Sequence, residues 1–345
     1  MKPSALTVSL STWKELYAAA QQFNALQPWT LLDDADLICV RNPNNGETGY
    51  GAVMGSLGTL FGFCLYRGAH GFDFYRRQMM DNGSIQEDDF LSELDCLKVD
   101  FCSRAEMERE DISVIKKLNL SFNGKFGWPQ FRSVLPRYAP WFLSESEAAF
   151  LTLGLKAACL HYHTIDEGTM DESLREDECL MYTPINTAQT EFQTQWEPLP
   201  LITKTPPLPP IFNLSILTDL KTKSLTQDTA WEADVIMLPS MVFEGERPYF
   251  VRMTALCHAS TGIAFKTDVA VPDVADQQLL ADTICSVIKA QSRKPDTLLV
   301  KNKKLKDALT PLGNVLGIQI KQKKNLPAVQ ELRESLNGYI MSGKF

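Results

Sequence analysis

Residues 197–212 read EPLPLITKTPPLPPIF and hold six prolines, at 198, 200, 206, 207, 209 and 210. Proline fixes φ and carries no amide proton, so a run this dense ends any helix or central strand and favours an extended polyproline II course. The chain is therefore cut here, into an N-terminal domain over 1–197, a proline-rich linker over 198–210 and a C-terminal domain over 211–345. Length agrees: 345 residues, at roughly 100 to 200 per domain, point to two. Pro206 with Pro209, and Pro207 with Pro210, also satisfy P-x-x-P, but a stiff spacer is the simpler reading of the run than a docking peptide.

Away from the linker the composition is that of a folded protein, 44% apolar and 22% charged, which excludes the disordered and fibrous classes. No apolar run reaches the roughly 18 to 20 residues that cross a bilayer, and the opening MKPSALTVSLSTWKEL has no continuous apolar core. The eight cysteines, at 39, 64, 96, 102, 159, 179, 257 and 285, lie mostly in apolar runs and form no C-x-x-C. They read as reduced, buried thiols, and the expected location is cytoplasmic, with no membrane partner. Charge is uneven. Residues 1–210 hold 17 Lys and Arg against 28 Asp and Glu, a balance of −11, whereas 211–345 hold 17 against 14, a balance of +3.

In the N-terminal domain, Trp13, Leu16, Tyr17, Ala20 and Phe23 recur at helical spacing and predict a helix from about Ser11 to Leu26, capped by Ser11 or Thr12. Strands at 37–41, 50–54 and 61–66, separated by the turn-forming NPNNGETG and GSLG, predict an antiparallel meander. A helix over 70–80, a strand over 96–102, a charged helix over 106–118 and a long helix from Ser144 to about His161 follow. Ser144 with Glu147 has the form of a capping box. Strands at 179–183 and 192–197 complete an α+β domain on an antiparallel sheet.

The C-terminal domain changes rhythm. Strands at 233–238, 249–257 and 263–270 precede a helix over 275–292, a strand at 297–300, a helix over 304–316, a strand at 318–321 and a helix over 328–339. Three meandering strands followed by helix–strand alternation predict a mixed-sheet α/β domain.

Several residues invite chemistry. The glycines at 46, 49, 51, 55, 58 and 62 suggest a phosphate loop, yet no Gly-Lys-Ser/Thr is present and the segment runs strand to strand, so hairpin turns and bulges explain them better. His161 and His163 form an H-x-H pair that would project both rings to one face if extended, a weak alternative as metal ligands. The acidic DEGTMDESLREDE, residues 166–178, lacks calcium-loop spacing and reads as a solvated loop. No G-x-S-x-G elbow exists, and only His70 and His258 remain to activate a nucleophile. Between Arg293 and Lys324 nine Lys or Arg face two Asp. Such a patch attracts acidic proteins or phosphates, but without interleaved aromatics it offers no stacking for bases.

Three segments, WTLLDDAD at 29–36, NPNNGETGYGAVMGSLG at 42–58 and YRGAHG at 66–71, resemble an uncharacterised bacterial family of unknown function. In the second half WEAD at 231–234, RKPDTLLV at 293–300 and LGIQI at 316–320 look like the domain that accompanies it. The resemblance covers most of the chain and implies no reaction. The order of elements in the C-terminal domain is also similar to the ribonuclease H-like fold, and Trp231–Asp234 resembles the first strand of an integrase. That likeness implies an acid at Asp234 and a second at the end of the strand 297–300, where this chain has Lys301 and Asn302 instead.

The expectation that follows is a noncatalytic binding or regulatory protein: an N-terminal domain offering an interaction surface and a catalytically degenerate ribonuclease H-like domain, with no catalytic residue and no cofactor. Partner contact is assigned to Lys301, Lys303, Lys304, Lys321, Lys323 and Lys324, toward a protein first and nucleic acid second. The competing expectation is a metal-dependent nuclease using Asp234 with Asp268, Glu331 or Glu334, since two-metal catalysis needs carboxylates gathered around ions about 4 Å apart. A small-molecule enzyme with an interdomain pocket is the third.

Overall fold

The computed structural model describes residues 8–80, 87–168, 177–186, 191–201, 210–211 and 214–342. Contacts divide the chain into two compact units, Met1–Ile202 and Thr203–Phe345. Among the described residues no helix is long and apolar enough to cross a membrane.

The first unit runs α1 (Leu10–Leu26), β1 (Ile38–Arg41), β2 (Thr48–Met54), β3 (Phe61–Arg67), α2 (Gly68–Met79), α3 (Glu87–Glu93), β4 (Cys96–Cys102), α4 (Arg109–Lys117), β5 (Trp128–Val134), α5 (Glu145–Asp166), β6 (Glu178–Pro184) and β7 (Phe192–Pro198). Its seven strands lie in the order β5-β4-β3-β2-β1-β6-β7. Alternation assigns the faces. Ile38, Val40, Phe63, Leu65, Leu97 and Val99 point to the core under α1 and α5, while Cys39, Cys64, Tyr66 and Cys96 point to a second core with Phe72 and Tyr75 of α2.

The glycines of β2 serve packing. A Cβ on Gly49 would run into Leu65 and the ring of Phe150, and one on Gly51 into the ring of Phe63. Gly154 of α5 meets the same two side chains, Leu65 and Phe63. Bare backbone on β2 and α5 thus lets the helix settle close to the sheet.

Capping follows local chemistry. Ser144 Oγ accepts from the Glu147 amide at 3.4 Å, and the Glu147 carboxylate accepts from the Ser144 amide at 2.9 Å, closing the capping box. At α1 the cap is Ser9 and neither Ser11 nor Thr12, because Leu10 already has helical geometry; Ser9 Oγ accepts from the Thr12 amide at 3.2 Å. The expected antiparallel sheet needs one correction: β6 pairs parallel with β1, making the sheet mixed. The cause is α5, which carries the chain from edge strand β5 back past the meander to β1. Strand β5, hidden from sequence by its Trp128-Pro129 start, tolerates proline because it is an edge. At the other edge β7 takes in Pro198, opposite Glu178, so the first proline of the expected linker belongs to the sheet. Residues 202–209, with Pro206, Pro207 and Pro209, lie outside the described residues, as do 169–176 of the acidic stretch.

The second unit runs α6 (Leu214–Thr222), β8 (Thr226–Val242), β9 (Tyr249–His258), β10 (Ala264–Lys266), β11 (Val269–Ala270), α7 (Asp276–Gln291), β12 (Arg293–Val300), α8 (Lys303–Leu316), β13 (Gln319–Gln322) and α9 (Pro327–Met341). The sheet order is β10-β9-β8-β12-β13, with β11 also on β9. Strands β8, β9 and β10 are antiparallel, and β12 joins β8, and β13 joins β12, in parallel. Trp231, Ala233, Leu298 and Val300 face α7 and α8, whereas Ile236, Leu238, Ala255 and Cys257 face Ala328 and Val329 of α9. Each unit is therefore an α+β layer built on its own mixed sheet.

Candidate functional site

Strand β8 places two acids, Glu232 and Asp234, on the face that α9 covers, because residues two apart in a strand share a side. Both are buried, at 1% and 6% exposure. Glu232 is fully employed: Oε2 accepts from the amides of Ala328 at 2.8 Å and Val329 at 3.3 Å, the first turn of α9, and Oε1 lies 3.5 Å from Lys323 Nζ. A strand side chain thus supplies the cap that Leu326, just before α9, has no group to provide.

Asp234 has different company. Its Oδ1 accepts from the Val235 amide at 2.9 Å. Val300 pairs with Ala233 in parallel register, so Lys301, the next residue, arrives beside Asp234 at the end of β12. Arg333 lies one helical turn beyond Val329 on α9, and Asp234 lies one strand repeat beyond Glu232. Burial pushes the Asp234 carboxyl up to about 6, against the opposing pull of Lys301 and Arg333 and with a smaller upward push from Asp276.

The six lysines come from neighbouring element ends. Lys301, Lys303 and Lys304 follow β12 and open α8; Lys321, Lys323 and Lys324 end β13. Leu299 pairs with Lys321, and the Lys323 amide donates to the Val300 carbonyl at 2.9 Å, which brings the two triplets to the same end of the sheet. Five of the six are exposed and Lys301 is partly so. Asn302 caps α8 through Oδ1, accepting from the Leu305 amide at 2.8 Å. The first turn of α8 carries no acid and two lysines, the reverse of what a helix N-terminus prefers. This is also the carboxyl end of the parallel strands, where open α/β sheets take ligands.

Residues 13–182 match a family model described as a domain of unknown function (DUF7309), and residues 216–337 match another, a domain of unknown function (DUF6930). The chain carries two domains of unknown function. The first match lies within the first unit and the second holds the acid pair and all six lysines. No curated protein matches the chain.

The four acids of the nuclease expectation sit in separate settings. Asp234 faces α9. Asp268 accepts from Thr283 Oγ1 of α7 at 2.8 Å and pairs with Lys266 at 3.0 Å. Glu331 lies by Gly262 at the β9–β10 turn, and exposed Glu334 accepts from Gln330 at 2.8 Å. Among the described residues no group of three or more His, Cys, Asp or Glu can hold a metal ion. The histidine pair separates as well. α5 runs on to Asp166 and makes 161–163 helical, where residues two apart do not share a face. His161 is buried with Nδ1 2.9 Å from the Tyr182 hydroxyl, and burial lowers it to about 4, while His163 is exposed.

His70 is exposed on α2. His258 Nε2 lies 3.3 Å from Asp228 Oδ1, and Nδ1 lies 3.3 Å from both the Ser260 hydroxyl and the Thr261 amide. The arrangement superficially lines up serine, histidine and aspartate. The turn amides, however, are spent on the turn: Thr261 donates to the imidazole, Gly262 to the His258 carbonyl and Ile263 to Thr261 Oγ1. Nothing in that pattern aims a pair of amides at a developing oxyanion, and His258 reads as a lock on the β9–β10 turn.

Glu232 and Arg333 were not among the residues singled out from sequence. The available signal was the pair of acids at an i, i+2 spacing in WEAD, inside an otherwise apolar strand.

Proposed function

We propose that the chain is a noncatalytic binding protein whose second unit, a degenerate ribonuclease H-like module, captures an acidic protein surface at the carboxyl end of β12 and β13. The observation that carries this reading is that six lysines, five of them exposed, come from two strand ends and a helix start at the same end of one sheet. The ribonuclease H-like part rests on the strand order, numbered within the unit as 3-2-1-5-6 with the second strand antiparallel and the fourth also paired with the second, and on α9 covering the face opposite α7 and α8. At the end of β12, where a second acid would hold cations, Lys301 repels them. Clustered cations favour an extended anionic partner through long-range attraction that salt screens.

The test is fluorescence anisotropy with labelled polyglutamate and with a short DNA duplex, at rising salt. Wild type is expected to bind polyglutamate with affinity that falls as salt rises. A variant carrying Lys301→Glu, Lys303→Glu, Lys304→Glu, Lys321→Glu, Lys323→Glu and Lys324→Glu is expected to lose at least about tenfold. Equal binding by the variant overturns the lysine surface, and tighter binding to DNA than to polyglutamate replaces the protein partner with a nucleic acid.

A further inference from the structure

Strand β13 (Gln319–Gln322) ends its sheet among the described strands, paired with β12 on one side only. The Lys323 amide donates to the Val300 carbonyl at 2.9 Å. Backbone groups alternate in direction along a strand, so Lys321 also turns its amide and carbonyl toward β12, and Ile320 and Gln322 turn theirs to the open edge. The β5 edge of the first unit is treated differently: Ser133 and Trp141 exchange amide–carbonyl bonds of 2.8 and 2.9 Å, which closes part of it.

Side chains follow the same alternation. Ile318 and Ile320 turn to the core under α7 and α8, whereas Lys323 reaches Glu232, the acid that receives the first amides of α9. Lys321 therefore shares the α9 side with Lys323, and both are exposed. An edge this short and this basic discourages pairing with an ordinary strand, because its lysines would be stripped of water without a counter-charge. The same lysines favour a strand with acids at every second position, since cross-strand pairs of opposite charge stabilise and like charges repel.

We propose that the acidic partner binds as an extended segment that adds a strand to the β13 edge, bonded through its main chain to Ile320 and Gln322, with acids at alternate positions facing Lys321 and Lys323. This inference rests on the lysine surface proposed above and specifies how it is used: the lysines select the sequence, and the backbone bonds fix the register. A partner that displays its acids on a helix would meet the same charges and none of the edge amides.

The probe is a short fluorescent peptide in which Glu and Thr alternate, with two counterparts of identical charge, one N-methylated at every Glu and one at every Thr. N-methylation removes the amide proton and leaves the carboxylates. In an added strand only alternate residues turn their amides to β13: those of Thr if the strand runs antiparallel to β13, those of Glu if it runs parallel. At low salt the full chain is expected to bind the parent peptide and one counterpart within about twofold of each other, and the remaining counterpart at least about tenfold more weakly, through lost hydrogen bonds. Which one fails gives the direction. Gln322→Pro removes one outward amide where an edge strand accepts proline and leaves every lysine in place, and it is expected to weaken the parent peptide about fivefold. Should that variant fold poorly, the methylated peptides decide on wild type alone. Equal binding of all three peptides, equal loss by both counterparts, or undiminished binding by a folded Gln322→Pro variant overturns strand addition and leaves the lysine surface standing. A parent peptide that does not bind at low salt sinks the lysine surface itself.

Discussion

Asp234 is ionised at neutral pH in surroundings that favour its neutral form, and the fold carries that cost. A carboxyl raised to about 6 in the folded state from about 3.9 in the unfolded chain contributes stability fully below about pH 4, and that contribution is lost as pH climbs through 6. Asp234→Asn keeps the shape without the charge. It should be more stable than wild type by about 3 kcal/mol near pH 8, with the difference closing near pH 4. Urea titrations at the two pH values check this, and a constant difference would mean that folding does not raise the Asp234 carboxyl. A residue that lowers stability where it sits fits a role in binding better than one in packing. At this scale the sequence was partly legible. WEAD singled out Asp234, but the neighbouring cations come from a strand end and a helix that lie 67 and 99 positions further along the chain, and no local pattern joins residues so far apart. The glycines of β2 show the converse: sequence assigned them to hairpin turns and bulges, and the space beside Gly49 and Gly51 is filled by Leu65, Phe63 and Phe150.

Between elements, the critical joint is the seat of α9 on β8. Helix amides at an N-terminus need acceptors, and here a buried glutamate from a strand provides one. Glu232→Ala leaves the Ala328 and Val329 amides without it and frees Lys323. The expected loss is about 2 kcal/mol of global stability, with faster hydrogen exchange in the first turn of α9 than in α8. If α9 exchanges as in wild type, its seat lies elsewhere. Helices were readable wherever a cap and an apolar stripe coincided, as at Ser144 for α5. β8 was read at 233–238 and extends over Thr226–Val242, because acids and threonines along it mask the apolar alternation. β5 was missed for a similar reason: its Pro129 reads as a breaker, and only an edge position makes it acceptable.

At the scale of the molecule, each unit owns its cores: among the described residues no core cluster draws buried residues from both. Fragments 1–202 and 203–345, expressed separately, should each unfold cooperatively in denaturant. A fragment that is unfolded alone would show that its core depends on the other. The charge balance of 211–345 and the six lysines were visible in the sequence from the start. What it determined by itself was that each half mixes helices and strands, with most helices and the central strands, because periodicity, caps and turn residues act within a few positions. Only the tertiary structure decided which strand returns beside which, that β6 enters parallel to β1, and that lysines from 301–304 and 321–324 come to the same end of one sheet. Those outcomes depend on side chains far apart in the chain being buried together, and burial is a property of the folded sheet that no short stretch of sequence contains.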